Sequence, residues 1–506
     1  MIKRKYRENA IVIFMAIVLI FGIVIFTGSI SSGYHLIDDH WAYRIALELQ
    51  QSNIWEVMFR RVIEDLVWRF RPLYEIEQVL RTIAFGTDLN LWMFYTAVLG
   101  VITFFFLWKF ARLLNMDYVY STFFVLVCIL GPQFVVWCRQ ANQENTGFLL
   151  LAITLCLLVK EVKNRCAGER NLGCQILLTL FVVATSLYKE AFAIMIPAYI
   201  LLSMSITADP DIVGRPSNDE MLMADPKQMW KKAVPLYAVW LAVMAVELMI
   251  IVFCVGTGET DYAGFSVTTG LSEYVEGIVL SLTRSKNGCV GITCLIGAFA
   301  AYEIYLRRDL KKYSGYLVTG LYIVCSQLVL HAKSKMWTRY MIPCIVGVAI
   351  LAVVIVAKQI QADKREKETV SRTEWANRIY IGFLIVFILV GISSSVKQAE
   401  KWAKSSADGN GGILPVLASA TWVGDDILLF ADETERTGSV KIWLEARERN
   451  VITYSDGMDC SSYPIMVVET PEIENEEELL KQLNWKGFRE VYDKDDFIIW
   501  MQESDE

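Results

Sequence analysis

Apolar blocks of about 18 to 22 residues recur along the chain, the length of helix that crosses a bilayer, and nothing else in the sequence limits the fold so strongly. With 55% hydrophobic and only 20% charged side chains among 506 residues, a soluble globule is excluded. The first block runs from about Ala10 to Ile30 behind Lys3, Arg4, Lys5 and Arg7. It is longer than a signal-peptide core and lacks a small-residue cleavage pattern, which predicts a retained span with a cytoplasmic N-terminus. Further blocks near 91–108, 117–136, 146–160, 174–188, 191–206, 233–255, 288–306, 314–331, 340–358 and 378–395 bring the expected count to about eleven.

Charge supports the same topology. Lys109/Arg112, Lys160 with Lys163/Arg165, Lys231/Lys232, Arg307/Arg308 with Lys311/Lys312, and Lys358 to Lys367 all fall on the side expected to be cytoplasmic. The segment 31–90, the connections near 139–144, 189–190, 256–287 and 331–339, and everything after about Ser395 are then expected on the outer side of the membrane. Eleven cysteines make no C-x-x-C pair and mostly sit in apolar runs, so they read as small core residues rather than disulfide or zinc ligands.

The last 110 or so residues differ in character. A short apolar run at Ile427–Phe430, a helix over Gly438–Arg449, strands at Val451–Tyr454 and Tyr463–Glu469, a helix at Glu474–Leu483 and a strand pair over Phe488–Gln502 predict a small extracytoplasmic α/β domain, 396–506, after a membrane domain, 1–395. Its acidic excess argues against nucleic acid, and it carries no phosphate loop or nucleophile motif.

The candidate chemistry lies just after the first span. A turn-prone Ser31-Ser32-Gly33 leads to Asp38 and Asp39, after which Trp41, Ala42, Ile45, Ala46 and Leu49 recur at helical spacing. An acid there can cap the helix, or serve as a catalytic carboxylate. Farther along the first outer segment, Trp55, Phe59, Val62, Ile63, Leu66 and Phe70 predict a helix along the membrane surface, stopped by Pro72, with its arginines facing lipid phosphates. Glu190 and Glu247 are candidates for a second acid: Glu190 beside Lys189 as a site acid or that lysine's partner, Glu247 as an intramembrane carboxylate. The three histidines, His35, His40 and His331, all fall on the outer side and with Asp38 or Asp39 could bind a divalent metal. Tyr34, Trp41, Trp55 and Trp68 are candidates to stack on sugar rings or to anchor at the interface.

Span count, acidic pair, surface helices and soluble tail together resemble the GT-C superfamily of membrane glycosyltransferases, to which protein O-mannosyltransferases and lipid A aminoarabinose transferases belong. Local stretches carry the same resemblance: Asp38-Asp39-His40, Arg69-Phe70-Arg71-Pro72-Leu73-Tyr74, Ser186-Leu187-Tyr188-Lys189-Glu190 leading to Pro197, and Arg339-Tyr340-Met341-Ile342-Pro343. Relatives often carry Asp-Glu with a tyrosine four residues after the Asp; here Asp39 has that spacing to Tyr43 but is followed by His40, so either acid fits the role of base. The resemblance implies an inverting transfer of sugar from a polyprenyl-phosphate carrier to an extracytoplasmic glycan, lipid or protein. Such a reaction needs a carboxylate to take the acceptor's proton and cations to hold the leaving phosphate. Arg71, Lys189, Arg69, Arg339 and Lys333 are the leading candidates for the second task, with Arg60, Arg61 and Lys335 behind them. A flippase, transporter or export component, or a non-catalytic envelope assembly protein, is the alternative for a chain of this topology.

Overall fold

The computed structural model describes residues 2–67, 69–140, 142–169, 171–213, 226–255, 270–283, 289–307, 310–332, 338–366, 371–409, 412–422, 424–430, 435–454, 458, 463–469, 488–494 and 497–502. Among them seven helices are long and apolar enough to cross a membrane: Tyr6–Phe26, Leu89–Leu113, Gln143–Cys166, Glu190–Thr207, Lys227–Val255, Ile342–Asp363 and Glu374–Lys404. Four shorter apolar helices accompany them: Tyr118–Ile129, Leu172–Ser186, Val290–Tyr305 and Ser314–Leu330. The chain is therefore a polytopic helical membrane protein.

Burial follows from having lipid rather than water at the periphery. Ile342–Asp363 is the central helix, with its apolar window wholly enclosed, whereas only 11% of the corresponding window in Lys227–Val255 is buried. Side chains such as Phe253 and Val390 point outward at no cost in hydrocarbon. Without a hydrophobic driving force between them, such helices associate through close packing of small residues. Where Ser314–Leu330 meets Ile342–Ala349, Gly320 and Gly347 bring the backbones into contact, and a Cβ on Gly347 would lie 2.9 Å from the Gly320 carbonyl oxygen.

The apolar block near 117–136 is not one helix. Leu130 leaves the α conformation, Gly131 takes φ 125°, and Pro132 starts a tight 3₁₀ turn, Pro132–Trp137, that leads into the polar stretch from Arg139 onward. Glycine is needed at that φ, and the proline has no N–H to lose at the start of the turn.

Three helices fill the stretch between the first two long apolar helices: His40–Gln51, Ile54–Leu66 and Pro72–Phe85. Ile54–Leu66 leaves Trp55, Phe59 and Ile63 exposed at i, i+4 spacing, the apolar stripe expected of a membrane-surface helix. The expectation that its arginines face lipid phosphates is corrected for Arg61. Arg61 is buried and donates to Glu75 Oε2 at 3.1 Å, because a guanidinium turned inward needs a carboxylate partner.

At the C-terminal end, β1 (Asp426–Phe430), β2 (Asn450–Thr453), β3 (Ile465–Glu469), β4 (Phe488–Lys494) and β5 (Phe497–Gln502) form one sheet in the order β2-β1-β3-β5-β4. β1 runs parallel to β2 and β3, and β5 antiparallel to β3 and β4. The helix Glu435–Glu445 supplies the crossover between β1 and β2 that parallel strands require. The expected helix at 474–483 lies outside the described residues. The last long helix, Ser371–Lys404, runs unbroken through position 395. Leu414, Leu417, Ile427, Val440 and Trp443 then share a core with Tyr34, Tyr43 and Trp92, so the sheet unit packs directly on the segment that follows the first span.

Candidate active site

The loop between the first span and the helix His40–Gln51 is clamped from the C-terminal side. Tyr34 N–H donates to Asp408 Oδ2 at 2.8 Å, Ala407 N–H donates to the Tyr34 carbonyl at 2.8 Å, and the Tyr34 hydroxyl donates to the Ser439 carbonyl at 2.9 Å. Ser439 Oγ donates to the Leu36 carbonyl and meets His40 Nδ1 at 2.8 Å. A Cβ at Gly33, where φ is 77°, would strike the Asp408 carboxylate at 2.8 Å. These contacts fix the position of the carboxylates that follow.

The two adjacent acids have different surroundings. Asp39, 1% exposed, turns back on the loop: its Oδ2 accepts from the His35 N–H at 2.9 Å and meets His35 Nδ1 at 2.9 Å. It occupies the position before the helix without bonding the helix N–H groups, so the capping alternative does not describe it. Burial raises its pKa, with His35 opposing. Asp38 has φ 74°, which turns its carboxylate away from Asp39 and toward a cavity. There Asp38 Oδ2 receives Arg139 Nη2 at 2.5 Å and Arg339 Nη1 at 3.2 Å. Burial works against the charge, but the two guanidinium groups outweigh it and hold the pKa at about 2. Asp38 is therefore ionised across the physiological range.

The cavity has a volume of about 840 Å³ and is lined by both charge signs. Arg44, Arg61, Arg69, Arg71 and Arg339 contribute cations; Asp38, Glu64, Asp65, Glu75 and Glu435 contribute carboxylates. Arg71 pairs with Asp65 and lies 3.7 Å from Glu75, while Arg339 also donates to the Tyr340 hydroxyl at 3.1 Å. Trp41 lies beneath Arg61 and Arg44, whose Cζ atoms are 4.1 and 5.2 Å from its ring. This mixture suits a ligand that presents phosphate oxygens and hydroxyl groups, which can exchange for the carboxylates now paired to the arginines.

Several sequence candidates come together here and others do not. Asp38, Arg69, Arg71 and Arg339 share the cavity. Lys189 does not line it: the ammonium is buried, 2.6 Å from Glu144 Oε1 and 3.6 Å above the Tyr340 ring. The salt-bridge partner of Lys189 is thus Glu144, and Glu190 interacts with Arg69 ahead of Lys189. Glu247 is also away from the cavity; it accepts from Ser186 Oγ at 2.6 Å inside the helix bundle. Lys333, Lys335 and Trp68 lie outside the described residues. Arg60 donates to Ser52 Oγ at 2.8 Å. Tyr34 is fully buried and Trp55 is 79% exposed, so neither is set to stack on a ligand in the cavity.

The three histidines occupy separate places. His35 stacks on Trp402 with centroids 4.0 Å apart, His40 bonds Ser439, and His331 stacks on Tyr340 at 5.2 Å. Burial drops the pKa of His40 to about 4 and of His331 to about 3. The metal arrangement considered from sequence does not form with them, because each ring is already committed to a different element. Among the described residues no three His, Cys, Asp or Glu side chains converge for a metal ion. Two residues that sequence reasoning missed are Arg139 and Glu435. Arg139 had a usable signal, a polar stretch between two apolar blocks on the outer side. Glu435 had none, since it is one of several acids in a charged run.

The polytopic helical bundle, the surface helices and the appended sheet together make a fold shared with solved membrane-protein structures. Among solved structures, the chain is similar to ArnT from Cupriavidus metallidurans bound to undecaprenyl phosphate, with TM-score 0.50, 12% identity, and 97% of this chain and 98% of that one covered. Lower scores relate it to the Archaeoglobus fulgidus oligosaccharyltransferase AglB, in complex with an inhibitory peptide and a dolichol-phosphate (TM-score 0.47, 12% identity, 97% and 74% covered). The arabinofuranosyltransferase AftD from Mycobacteria is similar at TM-score 0.43 and 14% identity, with 97% and 42% covered. No protein-family profile matches the sequence. No curated protein matches it either. At 12% identity the likeness to ArnT establishes the fold, and the chemistry has to be argued from the site.

Proposed function

We propose that this protein is an inverting glycosyltransferase that takes a sugar from a polyprenyl-phosphate carrier and delivers it to an extracytoplasmic glycan, lipid or protein. The observation that carries the reading is Asp38, an ionised carboxylate turned into an 840 Å³ cavity and gripped by Arg139 and Arg339. In the transfer, the acceptor oxygen attacks the anomeric carbon, its proton passes to Asp38, and the bond from that carbon to the phosphate oxygen breaks with its electron pair. The polyprenyl phosphate so released is a phosphomonoester whose gathering negative charge needs cations rather than an acid; Arg339, Arg69 and Arg71 line the cavity and can supply them. That ArnT, the similar structure, was solved with undecaprenyl phosphate bound supports a lipid-phosphate ligand.

The test offers purified protein in lipid nanodiscs a panel of polyprenyl-phosphate sugars, with mass spectrometry for loss of sugar and release of polyprenyl phosphate. Turnover of at least one donor is expected. If none turns over and undecaprenyl phosphate itself does not bind, the reading is wrong.

The topology belongs to the same proposal. With the four shorter apolar helices also crossing, the spans number eleven, the N-terminus is cytoplasmic, and the sheet unit within 396–506 stands on the side of Asp38. Reporters fused after Lys367 and after Glu506 are expected to report opposite compartments. The same compartment for both would mean that the helix Ser371–Lys404 does not cross between them and would remove the outer-face site.

A further inference from the structure

The cavity holds a second carboxyl group that comes from the other end of the chain. Glu435 opens the crossover helix Glu435–Glu445 of the C-terminal sheet unit and lines the same cavity as Asp38, with Arg339 beside both. The helix that carries it is fixed to the Asp38 loop through Ser439, which bonds Leu36 and His40 one turn farther on. Arg139 and Arg339 bind Asp38 and also act on Glu435, so all four groups form one electrostatic unit. Glu435 stands on the open side of that unit, where water can reach it.

We propose that Glu435 is the proton partner of Asp38: it holds the shared proton in the resting site and carries the acceptor's proton from Asp38 to solvent in each turnover. This rests on the glycosyl-transfer reading above. Two carboxyl groups that share one proton titrate as a pair, and environments that push them apart divide the roles between them. Asp38 is held low by the arginines. Burial and the Asp38 charge push Glu435 up to about 7, while Arg339 and Arg139 pull the other way. Below that pH the Glu435 proton occupies an Asp38 lone pair that the acceptor hydroxyl needs. Above it the pair is fully ionised, and a proton taken by Asp38 passes to the more basic Glu435 and on to water. The acceptor O–H breaks, the new O–C bond forms, the phosphate keeps the electron pair of the broken C–O bond, and the proton ends in solvent.

The first measurement needs no donor. Infrared spectra of the full chain in nanodiscs, titrated with base, are expected to lose a protonated-carboxyl stretching band as pH passes about 7. The part of the band that titrates near 7 should be smaller in Glu435→Gln. An identical titration in wild type and Glu435→Gln would overturn the inference and leave the glycosyl-transfer reading standing. With any donor that turns over, the wild-type rate should rise through the same pH. Glu435→Gln, whose amide donates to Asp38 at every pH, should be roughly 10²-fold slower at pH 8. Glu435→Ala, which cannot block Asp38 but also offers its proton no carrier, should lose the pH dependence and turn over more slowly than wild type at pH 8. A rising limb of wild-type shape in both variants would overturn the proton pair. A band that titrates as expected, with no lipid-phosphate sugar turned over, would keep the pair and remove the transferase.

Discussion

Asparagine in place of Asp38 is expected to slow sugar transfer by roughly 10²- to 10⁴-fold, the usual contribution of a positioned base, while the protein still folds. The conformation makes this substitution cleaner than alanine. Residue 38 sits at φ 74°, a region that asparagine enters more readily than other non-glycine residues. Alanine there would add roughly 1–2 kcal/mol of backbone strain and confuse a chemical effect with a structural one. The amide oxygen can still accept from one guanidinium, so the loop should keep its shape. Binding of undecaprenyl phosphate, followed by native mass spectrometry, should persist because Arg139 and Arg339 lose their competing anion. Whatever stability the Asp38 pairing provides should be present above the carboxyl's ordinary 3.8 and be lost as pH falls toward about 2. As a control, Asp39→Asn should show first in stability, since that carboxylate is committed to His35. Normal turnover in Asp38→Asn with only a lowered melting temperature would make Asp38 a structural clamp.

How much of this was readable in the sequence depends on the range of the interactions involved. The membrane helices were legible because lipid imposes a length and a composition that a linear scan detects. The short strands were legible from β-rich runs such as Ile465–Glu469, bounded by turn residues. The break at Gly131-Pro132 was written in the sequence but outweighed by the apolar residues around it. The site was legible only in part. Asp38 and Asp39 look alike in one dimension; what separates them is the sign of one φ angle and the partners it selects, Arg139 and Arg339 for one, His35 for the other. Those partners lie 101 and 301 residues away from Asp38, and Glu435 farther still. Periodicity and spacing carry no information at that separation. Lys189 illustrates the opposite error, in which a cation at the end of an apolar run invites a phosphate-binding role until the buried Glu144 is seen beside it.

That buried pair gives the second large effect. Lys189 and Glu144 are 1% and 2% exposed and 2.6 Å apart, so each charge depends on the other. Lys189→Met would leave Glu144 buried without its counter-ion, a change that costs about 3–5 kcal/mol when one partner of such a pair is removed. The pair also supports the site from behind. The Lys189 ammonium lies 3.6 Å above the Tyr340 ring, and Tyr340 is the neighbour of Arg339 that binds Asp38. A large fall in melting temperature in detergent is therefore expected for Lys189→Met. The double variant Lys189→Met/Glu144→Gln, which removes both charges, should recover most of the loss. A lysine that binds the donor phosphate would behave differently: Lys189→Met would weaken binding of undecaprenyl phosphate with little change in melting temperature, and Glu144→Gln would restore nothing. The sign of the double-variant coupling thus decides between the role that the sequence position invites and the one that burial and geometry support.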